Sequence, residues 1–173
     1  MDVSEPLFTI GIKDKIVNEK EKVKKHIAIE ILLSIIIGKS SKLYQDLYNE
    51  GILFTTPSLD YEFGAGYSHI LITGQSKLPE KVFEKFKKTI NEIKQKGIEK
   101  EEFERIKKTI YGSYVREFNE AGEIARMFLS DFFKGINSFD YLEEIPIINE
   151  NYVEQILKEV FNEDKMVISV IKK

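Results

Sequence analysis

Along Leu7 to Lys13 apolar and polar positions alternate, with Phe8, Ile10 and Ile12 set against Thr9, Gly11 and Lys13. This is the period-two signature of a strand with one buried face. The period then changes. From about Val17 to Ile37, residues Val23, Ile27, Ile31 and Ile35 recur at helical spacing, and the second half is apolar on nearly every side, so it belongs at the centre of a core. Gly38 reads as a helix stop. Ser40 or Ser41 then reads as the N-cap of a short helix carrying Leu43, Tyr44, Leu47 and Tyr48, which Gly51 ends. Pro57 to Phe63 alternates Leu59, Tyr61 and Phe63 against Ser58, Asp60 and Glu62. Gly64-Ala65-Gly66 turns the chain, and Tyr67 to Thr73 returns with Ile70 and Ile72 opposite Tyr67, His69 and Leu71. The pattern predicts a β-hairpin.

Helical spacing dominates most of the remaining chain. Pro79, at a first helical position, opens a helix whose Val82, Phe83, Phe86, Ile90 and Ile93 make one stripe, ended by Gly97. A second long helix from Lys100 to about Asn119 aligns Phe103, Ile106, Ile110, Tyr114 and Phe118. Ala121 to Phe133 continues helical with Ile124, Met127, Phe128 and Phe132, closed by Gly135. Ser138 to Leu142 begins a short element before Pro146. Asn149 or Asn151 caps a last helix through Val153, Ile156, Leu157 and Val160, and Met166 to Ile171 forms a final strand. The sum predicts one α+β domain over residues 1–173. Its form is a two-layer sandwich, a mainly antiparallel sheet of about four strands with helices packed on one face. The alternation leaves the other sheet face polar, with Thr9, Lys13, Asp60, Glu62, His69, Thr73 and Ser169 on it, a surface able to line a chamber.

Composition narrows the function. The net charge is −3, from 26 basic and 29 acidic residues, without the positive field that nucleic-acid binding needs, so no nucleic-acid partner is expected. There are no cysteines, which removes disulfides, thiolate metal sites and thiol nucleophiles and fits a cytoplasmic setting. The most apolar stretch, Ile27 to Ile37, is interrupted by Glu30 and Ser34 and is too short to span a membrane. The first residues, Met1-Asp2-Val3-Ser4-Glu5-Pro6, lack the regions of a secretory signal.

Candidate chemistry is sparse. A zinc hydrolase built on His-x-x-Glu-His needs two imidazoles one helical turn apart and a carboxylate to activate water. The two histidines here are His26, on a helix, and His69, on a strand. His26 and Glu30 could share a helix face and read as an ordinary polar pair; His69 reads as a solvated strand residue within reach of a bound peptide. Asp60 and Glu62 project to one face of their strand and read as a solvent-facing acidic pair. Gly64-Ala65-Gly66 does not open a helix and carries no Lys-Ser/Thr sequel, so it is a turn and not a phosphate loop. The basic runs Lys20-Glu21-Lys22-Val23-Lys24-Lys25 and Lys85-Phe86-Lys87-Lys88 read as wet helix faces. No serine lies in a nucleophile elbow, and neither a catalytic nor a metal-binding residue is assigned.

The stretch Gly38 to Phe54, with its Leu43-Tyr44-Gln45-Asp46-Leu47-Tyr48-Asn49-Glu50-Gly51, resembles the C-terminal half of insulinase-type zinc endopeptidases (the pitrilysin and processing-peptidase group), and of their bacterial subfamily in particular. So do the hairpin with Gly74, the Pro79 helix, the segment Glu101 to Lys108 and the ending Lys165 to Ile171. The resemblance implies a non-metal domain that encloses an unfolded peptide together with an N-terminal half of the same peptidase. The zinc would lie in that half and no cofactor in this chain, with a homo-oligomer also allowed. Members carry an arginine and a tyrosine just after the short helix that contact the peptide. Here Tyr48 stands where the arginine would be and Phe54 roughly where the tyrosine would be, so help to the transition state from this half is not expected. Tyr48, Phe54, Tyr67 and His69 are the implied substrate-binding residues, and Tyr61 could join an aromatic wall, although core packing is the expected fate of Phe54 and Tyr61. The chain alone is expected to be inactive. The alternatives are a catalytically silent partner of the same fold and, outside the family, a small-molecule-binding domain with a pocket beside Tyr67 and His69.

Overall fold

The computed structural model describes residues 5–172. Strand β1 (Leu7–Lys13) leads through a single 3-10 turn at Glu19–Glu21 into α1 (Lys22–Ile37) and the short α2 (Lys42–Asn49). The hairpin of β2 (Ser58–Gly64) and β3 (Tyr67–Gln75) is followed by α3 (Pro79–Lys96), α4 (Lys100–Glu117), α5 (Ala121–Lys134), α6 (Asp140–Ile147) and α7 (Glu150–Val160). Strand β4 (Met166–Ile171) ends the fold. The predicted α+β sandwich is present: the strands form one antiparallel sheet in the order β2-β3-β1-β4, with the helices on one face.

Register explains the two faces. Directly opposed residues share a face, and Ile10 pairs with both Ile72 and Ile168, while Ile12 pairs with Ile70 and Met166. Phe8, Ile10, Ile12, Tyr61, Phe63, Ile70 and Ile72 are thereby turned into the core. The other face carries the row Ser169-Thr9-Thr73-Ser58, then Val167-Gly11-Leu71-Asp60, then Lys13-His69-Glu62. Thr9 and Thr73 hydrogen-bond across it, Oγ1 to Oγ1 at 3.2 Å. A stripe of apolar side chains, Val167 and Leu71, crosses this otherwise polar surface beside Gly11.

Helix α1 lies against the sheet with neighbours on its other sides: α2, α3, α4, α6 and α7 all touch it. Its apolar surround is used in full, since Ile27, Ala28, Ile29, Ile31, Leu32, Leu33, Ile35, Ile36 and Ile37 are all buried. Its start differs from the sequence expectation. Asn18 caps the 3-10 turn, its side chain accepting from the Lys20 N–H, and regular helix begins only at Lys22. The basic run at that start is only in part a wet face, since Lys20 and Glu21 are exposed but two of its lysines are not. Lys22 and Lys25 are buried, Lys25 against Asp14 at 2.7 Å and Lys22 between Glu19 and the Lys134 carbonyl, each at 2.7 Å. Asp14 also accepts from the Tyr61 hydroxyl at 2.7 Å. A buried carboxylate needs such partners, and this one joins the end of β1 to α1 and β2. Sequence periodicity carries no sign of a cross-chain partner, which is why the run looked solvated.

The later helices are less evenly buried. Ser41 caps α2 through the Tyr44 N–H, and Asn149 caps α7 through the Tyr152 N–H, as their residue types suggest. Helix α5 stands off the core, its Phe132 and Phe133 being 75% and 79% exposed.

Two glycines set a paired test. A Cβ at Gly38 would lie 2.5 Å from the Ser34 carbonyl oxygen, whereas at Gly112, inside α4, it would meet nothing within 4 Å. Gly38→Ala is expected to destabilise the fold by about 1–3 kcal/mol, and Gly112→Ala to stabilise it by up to about 1 kcal/mol. Urea denaturation of the two variants would measure both, and a shift of the same sign in each would contradict this account.

Candidate functional site

The four residues assigned to peptide contact fall in two places. Tyr48 and Phe54 flank the turn after α2, about half exposed. That turn is fixed to its surroundings: Glu50 pairs with Lys81 and Lys85 of α3, Ile52 and Leu53 are buried, and the Ser76 hydroxyl donates to the Ile52 carbonyl at 2.9 Å. Lys77 Nζ sits 4.8 Å from the centre of the Phe54 ring. Phe54 is therefore not a core residue, because the backbone bridge from Leu53 to Ser76 holds its neighbour inward; Tyr61 is one, at 5% exposure.

Tyr67 and His69 occupy the far end of the wet face. They open β3 beside the hairpin turn, with ring centres 5.8 Å apart. Leu53 bridges to Ser76, just beyond the other end of β3. The length of β3 thus separates the two pairs by roughly 27 Å at about 3.4 Å per residue. A ligand touching both pairs would have to span that length.

The helix layer holds a second feature, which sequence reasoning passed over. A cavity of about 340 Å³ opens between β2, α1, α4 and the end of α5, lined by His26, Glu30, Tyr61, Tyr114, Glu117 and Lys134 among others. His26 and Glu30 are not an ordinary surface pair. Atoms crowd them closely, and their remaining accessible surface opens into this cavity. His26 Nδ1 is 2.6 Å from the Tyr141 hydroxyl. The Tyr114 hydroxyl donates to Glu30 Oε2 at 3.3 Å. The two phenol rings stack with centres 4.7 Å apart, completing a path from imidazole to carboxyl. The available signals were a lone glutamate in an apolar helix and tyrosines inside the apolar stripes of later helices.

Burial pushes the Glu30 carboxyl up to about 7, with Tyr114 pulling down and Glu117 pushing further up. Burial, helped by Lys134, holds His26 at about 4. At neutral pH the imidazole is uncharged, and the carboxyl keeps its proton to a higher pH than a solvated glutamate does.

The histidines also bear on metal binding. His26 lies on the helix side of the sheet, edge-on to Phe63, whereas His69 pairs with Lys13 and Glu62 on the opposite face. A two-histidine zinc set does not fit these positions, and among the described residues no group of three His, Asp or Glu side chains is placed to hold a metal ion. None of the described helices is long and apolar enough to cross a membrane.

Known proteins share this fold. The family model for the Peptidase M16 inactive domain matches residues 15–110, and the chain belongs to that family. It is 25% identical over 170 residues to a Bacillus subtilis protein described as the uncharacterized zinc protease YmfH, covering 97% of this chain but 40% of that protein. A provisionally assigned M16-like peptidase from Alicyclobacillus acidocaldarius superposes with a TM-score of 0.90 at 23% identity, over 97% of this chain and 41% of that one. The inactive peptidase domain of a provisionally assigned zinc protease from Bordetella parapertussis gives 0.79 at 10% identity, over 100% and 93%. These two likenesses establish the shared fold. The chain spans well under half the length of its curated relative.

Opposed titrations in the cavity give a measurable consequence. Unfolding returns Glu30 to 4.5 and His26 to 6.5. Between those values the folded state holds a proton on Glu30 that the unfolded chain has lost, and lacks one on His26 that the unfolded chain has gained. The raised carboxyl makes stability fall as pH rises and the depressed imidazole makes it rise, so the two slopes cancel. Glu30→Gln removes the first alone. Between pH 4.5 and 6.5 the variant should gain about 2–3 kcal/mol of stability relative to the parent chain. Urea midpoints across that range test it; parallel profiles for the two proteins would contradict the burial of this pair.

Proposed function

We propose that the chain is the C-terminal, peptide-holding domain of a two-part zinc-dependent peptidase. Residues 1–173 form one unit; an N-terminal half of the same protein brings the zinc and the general base, and the wet face here closes the chamber over an unfolded peptide. One observation carries this reading: a polar sheet face in continuous register, flanked at both ends by exposed aromatics on fixed supports. It is supported by family membership and by the short span of the chain relative to a protein described as a zinc protease.

Under this reading Thr9, Thr73, Ser58 and Ser169 offer hydroxyls to the peptide, Tyr48 and Phe54 grip one end, and Tyr67 and His69 the other. The domain binds and orients the peptide but moves no proton in the reaction. Tyr48 and Phe54 in place of the family's arginine and tyrosine favour a second version, in which the parent assembly uses this copy for association alone. A cytoplasmic location accords with the absence of cysteine.

Fluorescence anisotropy with labelled unstructured peptides is expected to register binding to the isolated chain, and a folded competitor of equal charge is expected not to displace it. Tyr48→Ala and Phe54→Ala should each weaken binding by about fivefold or more, the equivalent of at least ~1 kcal/mol. Incubation of the chain with zinc and peptide should give no turnover. Metal-dependent cleavage by the chain alone would refute the assignment, and absence of peptide binding would leave only the association role.

A further inference from the structure

The cavity in the helix layer is walled by two facing rows of side chains. His26, Glu30 and Ser34 stand four residues apart on α1, and Ser113, Tyr114 and Glu117 share one side of α4, which packs against α1. Leu33, Leu59 and the ring of Tyr61 add apolar surface beside them, the Tyr61 hydroxyl being engaged by Asp14. At about 340 Å³ the space is at the small end of what organic ligands occupy.

The polar groups of this wall do not satisfy one another. One oxygen of Glu30 accepts from the Tyr114 hydroxyl at 3.3 Å, a long contact for two oxygens. The other oxygen has no partner among the described residues. Glu117, exposed at the mouth, has no cation within ion-pair distance among the described residues either, and its charge pushes the Glu30 carboxyl further up. The basic groups at hand are committed or neutral. Lys134, the one lysine or arginine lining the cavity, pairs with Glu62 at 3.5 Å and rests over the Phe63 ring. His26 is uncharged at neutral pH, and its Nδ1 is taken up by the Tyr141 hydroxyl. The group that would satisfy this wall carries a positive charge and several donor hydrogens.

We infer that the cavity is a binding site for a small primary amine. Its ammonium group donates to the open Glu30 oxygen, to Glu117 and to the Ser34 hydroxyl, while its apolar body rests against Leu33, Leu59 and the Tyr61 ring. An ammonium is a compact charge with three donors, suited to acceptors that arrive from two helices. A guanidinium fits less well, because its bidentate pairing needs both oxygens of one carboxylate and Tyr114 already holds one of them. A metal ion fits less well again, since no three ligating side chains are placed together among the described residues. The incoming charge offsets the burial that keeps a proton on Glu30, so amine binding and ionisation of that carboxyl are linked. The site lies on the helix side of the sheet. It goes beyond the peptide-holding reading of the wet face, and neither depends on the other.

Calorimetric titration of the 173-residue chain with 2-phenylethylamine tests this, at fixed ionic strength and about pH 8, above the Glu30 value of about 7. Two analogues keep the same body: 2-phenylethanol has no charge, and trimethyl(2-phenylethyl)ammonium has the charge without N–H donors. The primary amine is expected to saturate the chain with a dissociation constant of about 1 mM or below, and each analogue to bind about tenfold more weakly or worse. Glu30→Gln should weaken the amine by about tenfold or more and Glu117→Gln by about threefold or more. In amide NMR spectra the amine should shift signals around Glu30 and Ser113 and leave those of Tyr67 and His69 in place. The comparison of the three ligands and the map of shifted amides stand even where a variant fails to fold. No saturation below about 10 mM, equal affinity for the amine and its trimethylated analogue, undiminished binding by a folded Glu30→Gln, or shifts confined to the wet face would each overturn the inference. The peptide-holding reading would survive all four outcomes, because its contacts lie across the sheet.

Discussion

Helix α1 is enclosed on almost every side, and the rest of the domain is arranged by that constraint. Sheet, α2, α3, α4, α6 and α7 all press on it, so each polar group it carries must find a partner inside the protein or a cavity to face. Lys25 finds Asp14, Lys22 finds a backbone carbonyl and Glu19, His26 finds Tyr141 and Glu30 finds Tyr114. Unpaired, each would cost several kcal/mol of desolvation. The cavity beside β2 is the place where this accommodation is incomplete. Among the described residues, one carboxylate oxygen of Glu30 has an opening rather than a donor.

Burying one sheet face so thoroughly leaves the other without a layer of helices. The chain closes its sheet by bringing its last strand back beside its first, Leu7 opposite Ile171, and the hairpin then extends the other side. Every strand thus places alternate residues on the wet face, and among the described residues no helix lies above them. The supports of that face are stiff: a bridge at Leu53 and Ser76, and Glu50 held by two lysines at one end, a two-residue turn at the other. Stiff supports lower the ordering cost of holding a flexible ligand.

The layers were legible from periodicity because each core element obeys one period throughout. Phe8, Ile10 and Ile12 alternate, Val82, Phe86 and Ile90 recur by turns, and the caps at Ser41 and Asn149 are local in sequence. What escaped was contact between residues distant along the chain. Lys25 and Asp14, His26 and Tyr141, and Glu30 and Tyr114 meet only after folding, and no local pattern distinguishes a lysine bound for a buried carboxylate from one bound for water. The exposure of Phe54 was hidden for the same reason, since it follows from a bridge between Leu53 and Ser76. The α5 phenylalanines show the limit of the amphipathic argument: an apolar stripe identifies a helix but does not bring a neighbour to cover it.

The positions of the two histidines explain why a fold shared with zinc-protease relatives can hold a different kind of site. In the metal motif both imidazoles leave one face of one helix; here a full sheet separates them, and no side-chain rotation can join them. On α1 the position one turn after His26 is a carboxyl, not a second imidazole, and its surroundings favour the protonated acid below neutral pH. Such a carboxyl donates or accepts a hydrogen bond when the cavity is empty and ionises when a cation arrives, because the incoming charge offsets the burial that holds its proton. On this helix an imidazole and a carboxyl one turn apart therefore share a cavity wall without the second imidazole that the metal motif needs.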